Sequence, residues 1–144
     1  MVDREDRHKA CRLIEGLAKA EITNDDFDDD FPRRSRDRAL EPIFANIWFH
    51  YSDTHTHKLT GEHALSSEAS QIFARCAAFL RSDLEYEWPD YNWIALKRIV
   101  LRLFGQGARI ERQFEQFKAA GDFEVWPFLS RSDWQRFAGR GESQ

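Results

Sequence analysis

Apolar residues recur at three- and four-residue intervals through most of the 144-residue chain. That period is the signature of helices that bury one face. Leu40, Ile43, Phe44, Ile47, Trp48 and Tyr51 fall on one stripe. Cys11, Ile14, Leu17 and Ala18 form a second, with Leu13 beside it, and Ile72, Phe73, Cys76, Phe79 and Leu80 a third. Only VWPFL, residues 125–129, hints at a strand. Between 91 and 104, Trp93, Ile94, Leu96, Ile99, Val100, Leu101, Leu103 and Phe104 cover most of a helical circumference. A helix apolar nearly all round belongs in the middle of a bundle. The expected fold is all-α: a single helical domain over residues 1–144, with five or six helices around a central apolar helix at about 91–104. The tail 139–144 is expected to fray.

Local signals place the other elements. The first helix is expected over 5–20 and is broken by EITNDDFDDDFP, residues 21–32. Thr23 or Asn24 caps a short turn there, with Phe27 and Phe31 plugging the core. The next helix spans about 35 to 51. Pro42 either kinks it or lies in the first turn of a later start, and the period of Ala39 and Leu40 favours the kink. Ser66 or Ser67 caps a helix to about residue 80. Asp90 caps the central helix, Gly105 and Gly107 interrupt the chain, and residues 108–120 resume as a helix with Ile110, Phe114 and Phe117 inward. Residues 122–129 are expected to be extended around Pro127, and Ser132 to begin a final turn carrying Trp134 and Phe137.

A chain of this size buries a core without staples. With 12 Phe and 5 Trp, much of that core is ring packing. Cys11 and Cys76 lie on apolar stripes, so reduced buried thiols and a cytoplasmic location are expected. The N-terminus lacks the apolar stretch of a signal peptide, and no apolar run suits a bilayer. Arg exceeds Lys by 16 to 5, which fits GC-rich bacterial coding. The formal charge of -4 argues against nucleic acid as a partner, because phosphate neutralisation supplies most non-specific affinity.

Three stretches bear on function. Residues 50–63, HYSDTHTHKLTGEH, hold four of the five histidines. In an extended loop, Asp53, His55 and His57 share a side and make a metal-ligand set, with Glu62 or His63 to complete it. No ligand cluster distant in sequence answers them, so we read the stretch as a solvated inter-helix loop and expect no cofactor. His50 reads as a boundary residue of its helix. The acidic run carries Asp25, Asp26, Asp28, Asp29 and Asp30. It lacks the glycine and distant glutamate of a calcium loop. Either Arg33, Arg34, Arg36 and Arg38 offset its charge, or it faces a basic protein partner. Those arginines alone make a weak phosphate footprint. Glu85 and Glu87 flank Tyr86, and they read as wet carboxylates on a turn locked by Tyr86 and Trp88. No nucleophile elbow, P-loop, dinucleotide fingerprint or Cys-x-x-Cys occurs.

The order of motifs carries a resemblance. RDRAL (36–40), IWFHYSD (47–53), RCAAFLRSDLEYEWP (75–89) and VWPF (125–128) together resemble small uncharacterised bacterial helical proteins. Some of these are of the immunity type found in polymorphic or contact-dependent toxin systems. The resemblance covers most of the chain and implies stoichiometric protein binding without catalysis. The expected function is therefore toxin neutralisation by a cytoplasmic, non-enzymatic protein, with the five aspartates as the contact surface. The alternative is a metal-dependent enzyme or metal-binding protein using Asp53, His55 and His57.

Overall fold

The computed structural model describes residues 1–52, 54–91 and 107–138, with side-chain burial unassigned for 107–111. Among them are six α-helices: α1 (Arg4–Ala18), α2 (Asn24–Asp30), α3 (Leu40–Trp48), α4 (Ser67–Arg81), α5 (Gly107–Lys118) and α6 (Arg131–Ala138). No strand occurs among the described residues, and the fold is all-α. The central helix expected at about 91–104, Asp53 and the tail 139–144 lie outside the described residues, and the inward placement of Ile110 is likewise not described. Among the described residues, no helix is long and apolar enough to cross a membrane.

Capping chemistry sets the helix starts. The Asp3 carboxylate accepts from the Asp6 amide at the head of α1. Thr23 and Asp26 form a reciprocal capping box at α2, and Ser66 accepts from the Ala69 amide at α4. Two expectations are corrected. The third helix starts at Leu40, with Pro42 in its first turn, and not at 35 with a kink. Proline has no N–H to give to the carbonyl four residues back, so the chain before it is free to turn. Asp37 takes up that freedom: its carboxylate accepts from the Ala39 amide at 3.1 Å. The segment 122–129 is not extended either. It forms a 3₁₀ turn at Phe123–Val125, capped by Asp122, and a cis Trp126–Pro127 bond.

The buried residues form one cluster that draws on every helix except α6, whose Trp134 and Phe137 pack against it. α1 lies chiefly on α4, which also meets α6, while α2 packs on α1. Phe27, Phe31 and Phe44 pack ring on ring, with Phe27 and Phe44 stacked at 5.8 Å. Tyr86 and Trp88 are buried while Glu85 and Glu87 stay exposed, an alternation with period two. The Trp88 indole N–H donates to Pro127 O at 3.1 Å, and the Trp126 indole N–H donates to the Tyr86 hydroxyl at 3.1 Å. Cys11 and Cys76 are buried free thiols, and burial pushes Cys76 up to about 12.

A buried ion pair ties these parts together. Arg7 and Asp37 are 0% and 2% exposed. Arg7 Nε donates to Asp37 Oδ2 at 2.5 Å and Nη2 donates to Oδ1 at 3.2 Å. Two further guanidinium N–H groups donate to Ser82 O and Leu84 O, each at 2.9 Å. Asp37 also accepts from the Asp3 amide at 3.0 Å. Burial pushes the Asp37 carboxyl up, but these hydrogen bonds and the Arg7 charge outweigh it and hold it below its ordinary range. Its contribution to stability is therefore whole above the unfolded value and is lost as pH falls through the folded one. Asp37→Asn is expected to cost about 3–5 kcal/mol at neutral pH, because Arg7 stays buried without its counter-charge. Urea melts across pH should also show a flatter stability curve below about pH 4 for the variant than for the parent.

Candidate functional site

The loop between α3 and α4 runs across the start of α2, and one side chain organises it. Asn24, 2% exposed at the first position of α2, donates through Nδ2 to Ser52 O at 3.2 Å and His55 O at 3.1 Å. Its Oδ1 accepts from the His57 amide at 2.8 Å, and its own amide donates to His57 O at 3.0 Å. An asparagine amide has both donors and an acceptor, so it mimics a strand partner for a loop that has none. The Thr56 hydroxyl donates to Asp25 Oδ2, and buried Leu59 anchors the next stretch. Gly61, at φ +57°, then reverses the chain into a 3₁₀ turn over Gly61–His63. That left-handed conformation suits glycine because it has no Cβ to clash.

The result brings three histidines together. His55, His57 and His63 each offer one nitrogen, all within 4.8 Å of one another. The rings of His57 and His63 are stacked at 3.9 Å, with His55 at 4.9 and 5.0 Å from them. His55 and His57 do converge, but on His63, a residue the sequence reading named only as a possible closing ligand; Asp53 lies outside the described residues. The spacing signal was alternation in an extended strand, yet the convergence comes from a turn at Gly61. His50 is half-buried on the α3 exit, 3.3 Å from Asn46 Oδ1 and against the Phe73 ring.

The acidic run sits directly beside this loop. Asp25, Asp26, Asp28, Asp29 and Asp30 are all exposed on α2, while Asn24 and Phe27 are buried beneath them. The Thr23 amide, then its hydroxyl, hold the Asp26 carboxyl below its ordinary range. Two of the four downstream arginines, Arg33 and Arg38, are engaged elsewhere. Arg33 pairs with Glu41 at 3.3 Å and lies over the Phe44 ring at 4.2 Å. Arg38 donates to Tyr86 O, Trp88 O and Asp90, each at 3.1 Å. Among the described residues, no ion pair joins Asp25, Asp26, Asp29 or Asp30 to any of the four arginines.

The motifs that carry the resemblance meet one another in the core. Asp37 holds Arg7, Arg38 holds the Tyr86–Trp88 turn, and Arg75 Nε donates to Trp126 O at 3.1 Å. They build the scaffold. A separate groove of about 580 Å³ runs between α1, α4 and α6, floored by Ile14, Phe73, Ala77, Trp134 and Phe137. Comparison with family models, curated proteins and solved structures gives no match.

Asn24→Ala removes all three side-chain bonds to the loop. It is expected to cost about 1–3 kcal/mol, since the His57 amide and the loop carbonyls lose their partner. Hydrogen exchange should show loss of protection at the His57 amide while α1 and α4 keep theirs.

Proposed function

We propose that this chain is a non-enzymatic protein-binding domain of the toxin-neutralising type its motifs resemble, and that it meets a basic partner through α2. The observation that supports this reading is the charge arrangement on α2. Five exposed aspartates stand on a helix held from below by Asn24 and Phe27. Of the four neighbouring arginines, Arg33 is turned to Glu41 and the Phe44 ring, and Arg38 to the Tyr86–Trp88 turn. Exposed carboxylates gathered on one short helix attract a basic protein and speed its arrival. The same commitments of Arg33 and Arg38 weaken a phosphate-binding reading of that cluster. A rigid scaffold under the charges lowers the ordering cost of binding.

The test uses Asp29→Lys/Asp30→Lys, because neither side chain bonds to another described residue. The probe is a basic toxin domain that the parent chain binds. At low salt the association rate of the double variant is expected to fall about tenfold or more, with the gap narrowing as salt screens the charges. An unchanged rate for a toxin that the parent chain does bind removes α2 as the contact surface.

A further inference from the structure

We infer that His55, His57 and His63 form a binding site for a transition-metal dication, with Zn²⁺ the best match. The inference is independent of the protein-binding reading, because it rests on the loop and not on the aspartates' partner.

The carrying observation is how each imidazole spends its two nitrogens. His57 Nδ1 lies 2.8 Å from His55 O, a carbonyl that only accepts, so Nδ1 carries the proton and Nε2 keeps its lone pair. His57 Nε2 is buried and has no hydrogen-bond partner. A buried imidazole acceptor left bare is costly unless something fills the position. His55 Nδ1 is 3.2 Å from the Thr54 hydroxyl. His63 Nε2 is 3.3 Å from Glu62 Oε1. Each ring thus has one nitrogen steadied by an oxygen and one left over: Nε2 of His55, Nε2 of His57 and Nδ1 of His63. Metal-bound histidines are held in this manner, with the outer nitrogen on a carbonyl, hydroxyl or carboxylate.

The distances suit an empty site. Ligands on a tetrahedral zinc with bonds of about 2.05 Å stand about 3.4 Å apart. One nitrogen of each ring already lies within 4.8 Å of one nitrogen of each of the others, so ring rotations that turn the left-over nitrogens inward close the set. Imidazole nitrogens favour zinc, copper and nickel over magnesium or calcium. Asp25, bonded to Thr56 between His55 and His57, adds negative charge at the rim. His55 is exposed, which provides a way in and leaves a coordination position for water.

The test titrates the full chain with Zn²⁺ by calorimetry, and with Co²⁺ by visible absorption. One equivalent is expected, with the bands of Co²⁺ in a low-coordinate nitrogen site. His55→Ala, His57→Ala and His63→Ala should each lower affinity by about 100-fold or more, and Glu62→Gln by about 10-fold, as outer partners do. His8→Ala should change nothing. Long-range ¹H–¹⁵N spectra with Zn²⁺ should move Nε2 of His55 and His57 and Nδ1 of His63. Should His57→Ala fail to fold, His55→Gln and His63→Gln carry the same prediction from the loop's rim. Absence of stoichiometric binding, or binding that survives the loss of His55 and His63, overturns the inference.

Discussion

The buried pairing of Arg7 with Asp37 is the contact on which the rest of the fold depends. Taking two charges out of water is costly, and the cost is offset by the hydrogen bonds the pair makes, four of them from the guanidinium. Arg7 supplies donors to Asp37, Ser82 O and Leu84 O, and Asp37 accepts in turn from the amides of Asp3 and Ala39. One pair thus fixes the start of α1, the turn into α3 and the exit of α4. That exit leads straight into the Tyr86–Trp88 turn, which Arg38 holds through two backbone carbonyls. Arginine suits this work because its fork reaches several acceptors from one rigid plane.

A second polar staple, Asn24, does for the loop what Arg7 does for the core. Its amide replaces a missing strand partner for His55 and His57. It also places the acidic face of α2 and the three histidines side by side, since Asn24 and Asp25 are neighbours on the same helix. The protein-binding proposal and the metal proposal therefore concern adjacent surfaces with different chemistry: long-range charge in one, short-range lone pairs in the other.

Much of the fold was legible in residue order. The stripes of α1, α3 and α4 were read from apolar spacing, and the caps of α2 and α4 were narrowed to Thr23 or Asn24 and to Ser66 or Ser67 from polar side chains ahead of helices. Phe27, Phe31, Tyr86 and Trp88 were placed inward correctly because aromatic rings have few other places to go. The start of α3 was misread because Ala39 and Leu40 obey the helical period whether or not the helix has begun; what decides is Asp37, whose partner lies thirty residues upstream. The stretch at 122–129 was misread as extended because Pro127 signals a break without saying which way the chain bends. At the candidate site, His55 and His57 were named and His63 was given a secondary part. Spacing reveals neighbours in a strand, but not residues returned by a turn at Gly61.

The sequence by itself determined the helical class, the apolar faces, the neighbourhood of the caps of α2 and α4 and the gathering of aspartates and histidines into two short stretches. These are local properties, set by side-chain period and hydrogen bonds within a few residues. Only the tertiary structure decided that Arg33 and Arg38, after the acidic run, turn to other partners. It alone decided that His57 keeps a buried bare nitrogen on a ring packed against His55 and His63, and that motifs far apart in the chain converge on one core. Those outcomes depend on which groups lose water together, and burial is a property of the packed chain that no single segment carries.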